Sequence, residues 1–487
     1  MLEAGTMISQ RTSFSGSLRP VNDPLNAPTS IYLGGGPGTT SFDATSDFPC
    51  FVNPDGNSTT LNELSWNNNV NMLYIDQPIG TGFSYVTLVN GTVDVLGPTF
   101  TPREADEVPQ VNVTTLQATL DARRSETIPR TTMSGPKRPH PGKPPLRNAK
   151  ILNLATLGLQ EPAIDARAMA MGYPSFGYNN TYGIQIFNEE TYENLMAAIT
   201  APDVGCYALI DNCRALVAEG DPERYGTNET VNKACLAAMQ VCFLDIQGAY
   251  LALSDRSPFD VTHSNLTVYP WHYMDNFLNQ AWVQRDLGVP LNFTYDWGAI
   301  NKVFLYETGD PVIGSLTTLE KVLDGGVNVA MIYGDRDYRC PWYSGENVSL
   351  TLDFPASEEF RSAGYEYIVT NSSYNGGFVR EYGNLSFSRV FESGHGISAY
   401  QPETMYRIFE RAMFGRDIAT GKANLAQDTD YSTTGPKNVG GVKNRVEEAP
   451  DNKCFVRLAL ASCTDEQLQA LADGTAVVKD WVVVEPK

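Results

Sequence analysis

Asp335 and Asp337 stand one residue apart in the stretch Gly334-Asp335-Arg336-Asp337-Tyr338-Arg339-Cys340, and His395 follows fifty-eight residues after Asp337 within Gly394-His395-Gly396. A carboxylate held against an imidazole fixes its tautomer and stabilises the imidazolium, an arrangement that general-base and nucleophilic catalysis share. Gly34-Gly35-Gly36-Pro37-Gly38 offers a second component. A glycine run after a strand leaves backbone N–H groups free to meet an anion or a developing oxyanion. A phosphate-binding loop competes for that run, but no G-K-[ST] and no lysine-led helix follows it. For the two aspartates the bland alternative is a solvated turn. The glycine-flanked histidine downstream favours the acid–imidazole reading.

Chemistry of this kind needs strand ends to hold it. Residues 327–333 form a nearly continuous apolar run, the pattern of a strand covered on both faces in a parallel sheet. In open α/β sheets the carboxyl ends of the strands are where chemistry collects. Residues 385–391 predict a further strand that delivers His395, and 29–33 and 71–75 predict two more, the first running into the glycine loop. Residues 402–415 predict an amphipathic helix with Pro402 near its start, Met405, Ile408, Phe409, Ala412 and Met413 as its stripe and Gly415 at its end. That stripe reads as core packing, not a cofactor box. Residues 231–255 are largely helical in pattern.

Net charge is −21 over 487 residues, which argues against a nucleic-acid partner, since phosphate binding needs a basic face. With 42% hydrophobic and 10% aromatic residues the composition is that of a globular protein. No run approaches the ~18–20 apolar residues of a bilayer crossing. Eight cysteines include no C-x-x-C pair, which leaves little for zinc. The tandem Cys206-x6-Cys213 and Cys235-x6-Cys242 suggests two bridges tying a helical hairpin, and Cys454 and Cys463 would close a short loop. Ten N-x-S/T sequons accompany the cysteines, and together they favour a secretory, oxidising compartment. Residues 1–14 contain no apolar h-region, so the expectation is a leader outside this sequence.

The stretches IYLGGGPG, PCFVN and WNNNVNMLYIDQPIGTGFSY, then YNNTYGI, NVAMIYGDRDYRCPW, VFESGHGISAYQPE and YSTTGP, resemble the serine carboxypeptidase family of secreted or vacuolar hydrolases. The resemblance implies an α/β-hydrolase fold: a mixed, mostly parallel sheet with a helical insertion that overhangs it and shapes the substrate entrance. It implies acyl-enzyme release of residues from peptide or protein C-termini, with neither cofactor nor metal. Under it, Asp337 is the orienter, His395 the base, and Gly35 and Gly36 the oxyanion loop, with the Gly36 N–H the favoured donor. Tyr32 stands where the family usually has Trp. Cys340 matches a cysteine lining the cleft and is expected as a free thiol, which leaves Cys50 over. The remaining histidines, His140, His263 and His272, lie outside the strand-end loops. The residues that hold a peptide carboxylate are depleted: Gly34 and Ser46 occupy positions of a family Asn and Glu, and Pro341 replaces another Asn.

Residues 121–150 break this pattern. They hold eight Lys and Arg against two acids, a local charge of +6, together with six prolines, and no aromatic residue occurs from 101 to 172. No buried strand or long helix can be read through such a segment. A basic, proline-rich linker is one reading; a segment foreign to the fold, from a splicing or frame error or from gene decay, is the preferred one. The family's nucleophile sits in G-x-S-Y-G-G on a strand-to-helix elbow that should fall here, yet the chain has no G-x-S-x-G. Ser125 and Ser134 lack flanking glycines and a leading apolar strand, and neither is a candidate. The expected division is therefore 15–120 and 151–177 as hydrolase core, 121–150 as the anomalous segment, 178–306 as helical insertion, 307–425 as core and 426–487 as tail. Three functions compete: a serine carboxypeptidase, a catalytically silent secreted relative, and an acyltransferase or esterase on the same fold. Side-chain preference and oligomeric state are not encoded legibly.

Overall fold

The structure, a computed structural model, describes residues 3–4, 14–20, 22–43, 47–78, 80–85, 91–93, 100–102, 154–295, 298–446 and 448–486. The segment 121–150, with Ser125, Ser134 and His140, lies outside the described residues, as does Ser46.

Strands β1 (Ser15–Leu18), β2 (Thr29–Tyr32) and β3 (Asn71–Ile75) form one mixed sheet, with the two-residue strand Glu3–Ala4 on its outer edge. In it β3 runs antiparallel to β1 and parallel to β2, Tyr32 standing opposite Tyr74. A second sheet has the order β6–β7–β8–β5–β4, built from β4 (Thr156–Gln160), β5 (Asn328–Gly334), β6 (Glu366–Val369), β7 (Asn375–Tyr382) and β8 (Leu385–Val390). Here β5 is parallel to both β4 and β8, while β7 is antiparallel to β8 and β6. Among the described strands β2 and β4 are sheet edges.

The apolar run read from the sequence is buried on both faces because successive side chains of a strand point opposite ways. Val329, Met331 and Tyr333 of β5 enter one core with Leu319, Val322, Trp342 and Val348. Those partners come from α4 (Leu316–Asp324) and α5 (Trp342–Thr351). Ile332 enters the opposite core, with Met405, Ile408 and Phe409 of α6 (Pro402–Met413) and with Phe42, Met72 and Tyr74 of the first sheet. There the Phe409 ring stacks on Trp66 at 4.1 Å, so α6 fastens the two sheets together. Burial of each such side chain is worth ~1.5–3 kcal/mol. Gly415, at φ 61°, follows the last helical residues in a left-handed conformation that suits glycine.

Between the sheets in sequence lie α1 (Glu189–Thr200), α2 (Cys206–Gly220) and α3 (Glu229–Met239). Asn188 caps α1 by accepting from the Thr191 N–H, and Asn228 caps α3 by accepting from Thr230 and Val231. Helix α3 continues through a π-helical stretch, Gln240–Gln247, to end at Leu253. The disulfides are Cys206–Cys242 and Cys213–Cys235, nested rungs between α2 and the extended α3, and Cys454–Cys463. Cys50 and Cys340 are free thiols. The continuous helix Glu229–Leu253 is long and apolar enough by length and composition to cross a membrane, although no uninterrupted apolar run within it reaches the expected ~18–20 residues. Polar residues interrupt it, and both rungs fix it to α2 in a shared core.

Candidate active site

Strand β5 ends at Gly334, and a Cβ placed there would lie 2.4 Å from the Ser393 carbonyl oxygen and 2.6 Å from that of Gly394. Only glycine lets the loops after β5 and β8 approach so closely. The ladder then continues beyond the strands: Asp335 N–H donates to Val390 O at 3.0 Å and Arg336 N–H to Ser393 O at 2.8 Å. Two residues later Asp337 meets His395, with Oδ2 2.7 Å from Nδ1. Asp337 Oδ1 accepts the Arg339 N–H at 2.7 Å. The His395 N–H is anchored on Phe259 O at 2.9 Å, and the Phe259 ring stands edge-on to the imidazole at 5.3 Å. The Asp337 side chain is wholly buried, whereas that of His395 is 38% exposed. With Nδ1 turned to the Asp337 carboxyl, Nε2 is left at the outer edge, free to act as the acceptor. Among the described residues no hydroxyl hydrogen-bonds to it.

Asp335 has a different task. Its Oδ2 accepts from Nε and Nη2 of the fully buried Arg389 at 3.3 and 3.1 Å and from Asn444, and its Oδ1 accepts from Tyr182 Oη at 2.5 Å and from the Glu392 N–H at 2.9 Å. Arg389 also donates to the carbonyls of Val439 and Val442. Asp335 thus pins the tail segment and the loop before His395 to the sheet, while Asp337 alone faces the imidazole.

Two acids beside the site hold positive φ, Glu161 at 46° and Glu392 at 54°. For residues other than glycine that conformation costs ~1–2 kcal/mol each and persists where surroundings enforce it. Glu161 follows β4, a strand not foreseen because its apolar run is short and broken by Gly158. Its Oε1 accepts the Gly334 N–H, and its carboxyl interacts with that of Asp337. Burial first and the Asp337 charge second hold Glu161 well above the usual carboxyl range. No sequence signal marked this residue beyond its being an acid after a β-prone stretch.

Cys340 is buried, and its thiol is pushed up by burial first and by Asp337 next. Its sulfur, an Asp337 oxygen and a His395 nitrogen lie within 4.8 Å of one another. A soft cation would find ligands there, but only by displacing the proton that Asp337 and His395 share.

The glycine loop sits on the other sheet. Gly34 N–H donates to Ser41 Oγ at 2.8 Å, its carbonyl accepts from Gln77 Nε2 at 2.8 Å, and Ser41 Oγ donates to Ile75 O. Asp76 accepts from the Thr40 hydroxyl, from Ser41 N–H at 3.1 Å and from Phe83 N–H at 3.0 Å. Burial pushes this carboxyl up to about 6 against those donors. Asp76 and Gln77, which sequence reasoning passed over, are therefore the staples of the loop. Gly35 and Gly36 are exposed, and their N–H groups donate no hydrogen bond among the described residues. The ring of Tyr32 packs against Tyr74 at 5.5 Å and Trp66 at 6.1 Å. The structure accordingly brings Asp337, His395 and Cys340 together, and places Tyr32, Gly34, Gly35 and Gly36 in a second group that shares no hydrogen bond with His395 among the described residues.

Residues 16–97 and 144–415 match the serine carboxypeptidase family. Carboxypeptidase S1 homolog A of Arthroderma benhamiae is 38% identical over 519 aligned positions, spanning 95% of this chain and 79% of that protein. Carboxypeptidase S1 of Penicillium janthinellum is 30% identical, spanning 82% of this chain and 91% of that one. Among solved structures, Kex1(delta)p, a prohormone-processing carboxypeptidase from Saccharomyces cerevisiae, matches with a TM-score of 0.53 at 16% identity, covering 84% of this chain and 91% of its own. At that identity the likeness is one of fold.

Proposed function

The chain belongs to the serine carboxypeptidase family, and from that premise we propose that Asp337 and His395 are the orienter and base of an acyl-enzyme peptidase whose nucleophilic serine this sequence does not supply. By family it is a hydrolase of the α/β fold acting on peptides. In that chemistry Nε2 takes the proton of an attacking hydroxyl, Asp337 stabilises the imidazolium, and the N–H groups of Gly36 and Gly35 receive the oxyanion. The imidazolium then protonates the departing C-terminal residue, and water repeats the sequence on the acyl-enzyme. Gly34, Tyr32 and Cys340 would line the subsite for the substrate's end.

The observation that carries this reading is the 2.7 Å Asp337–His395 contact, with its outer nitrogen unengaged by any described hydroxyl. The family match itself stops at 97 and resumes at 144, and no G-x-S-x-G occurs anywhere. A base without a hydroxyl beside it forfeits most of the proximity on which such catalysis depends. This supports a silent relative for the chain as written. Three disulfides fit an oxidising, secretory compartment, which we place outside the cell or in the vacuole. The purified protein is expected to hydrolyse no blocked dipeptide and to take no label from a fluorophosphonate probe. Stoichiometric label on a single serine, lost in Asp337→Ala and His395→Ala, would overturn the silent reading and identify the nucleophile.

A further inference from the structure

We propose that Glu161 is a positioning residue that keeps its proton and donates it as a hydrogen bond to Asp337, so that one negative charge, not two, stands behind His395. The backbone sets this up. Glu161 N–H donates to Ile332 O at 2.9 Å, extending the β4–β5 ladder by one residue. The chain then turns to positive φ, which sends the side chain back toward the end of β5. There Oε1 accepts the Gly334 N–H, while Oε2 is buried and meets no N–H or hydroxyl donor. The charge and hydrogen-bonding capacity of the Asp337 carboxyl act on the Glu161 carboxyl, both of them buried beside the end of β5.

Two buried carboxyls that interact in this way cannot both be ionised, so a proton lies between them. Its owner follows from the donors on each side. Asp337 already accepts from His395 Nδ1 and from the Arg339 N–H, which favours its anion. Glu161 accepts from Gly334 alone. The other titratable groups facing Glu161 are Asp335, Tyr333 and Cys340. Asp335 is matched by Arg389, and burial holds the phenol and thiol in their neutral forms. None of them offers a cation that would ionise Glu161, and among the described residues Glu161 has no ion pair. The result is a chain of three groups: a neutral carboxylic acid, an ionised carboxylate and an imidazole.

This inference deepens the proposed role of the Asp337–His395 pair and takes its catalytic meaning from that role. Its test uses no substrate, so a protein that never cleaves a peptide still decides it. The chain has four histidines, few enough for each imidazole to be followed by NMR through a pH titration of the intact protein. Glu161→Gln, neutral and still a donor, should leave the His395 midpoint within ~0.3 pH unit and keep the low-field Nδ1–H resonance. It should also remove a protonated-carboxyl stretch from the infrared spectrum at neutral pH. Glu161→Leu, neutral but without a donor, should lose the low-field resonance. A fall of about one pH unit or more in the Gln variant would show that Glu161 had been ionised and would overturn the proposal. So would an infrared spectrum unchanged by Gln, or a Leu variant that keeps the resonance and midpoint of the parent. If the Leu variant does not fold, the Gln titration and the infrared difference decide the question.

Discussion

Asp335 and Asp337 look equivalent in the sequence, and the structure separates them by what each one touches. Asp335 neutralises an arginine with no solvent exposure, whereas Asp337 holds an imidazole that is over one-third exposed. Removing one partner of a buried ion pair strands the other charge, at ~3–5 kcal/mol. Asp335→Ala is therefore expected to lose about that much stability in urea unfolding, and Asp337→Ala clearly less. Equal losses would show that the division of labour is wrong. The sequence singles out both acids and His395, but only family resemblance chooses Asp337. Arg389 was hidden because it sits in a β-prone run as if it were an outward residue. Glu161 was hidden because nothing local distinguishes a buried acid from a solvated one.

At the scale of elements, strong periodicity translated directly. The residues of β3 are those expected, and β5 and β8 shift by one residue at their ends. The helix read over 402–415 forms over Pro402–Met413. β4 was missed, whereas the helix read over 231–255 forms over Glu229–Leu253, with only its π-helical turns at Gln240–Gln247 unmarked in the sequence. The join between β5 and β8 rests on Gly334. Gly334→Ala drives a methyl into two carbonyl oxygens that are backbone and cannot swing aside. The expected cost is ~2 kcal/mol or more, together with loss of the Asp337–His395 contact, seen as disappearance of the low-field imidazole proton. A variant that keeps parental stability and that resonance would mean the two loops are less tightly joined than described.

Across the molecule, buried carboxyls outnumber buried arginines among the described residues. Asp76 is pushed up to about 6 and Glu381 to about 8, in each case by burial first. Both folded values lie above the unfolded ones, so each contribution is fully present below about pH 4 and is lost as pH rises through the folded value. For Asp76 alone the loss is ~3 kcal/mol between about pH 4 and 6, and Glu381 extends the decline toward pH 8. Asp417, held below the usual range chiefly by backbone donors that outweigh its burial, works the other way only at strongly acid pH. Thermal melts are expected to show the highest midpoint near pH 4–5 and a steady fall to pH 8; a flat or rising profile would refute the protonated state of these groups. The nested rungs of the insertion have a further consequence. Both bridges span the eight-residue turn from Asp221 to Asn228, on opposite flanks of which the cysteines sit. A protease that severs this turn releases nothing: the two fragments stay covalently tethered, migrate as one band, and part only when a thiol reductant is added.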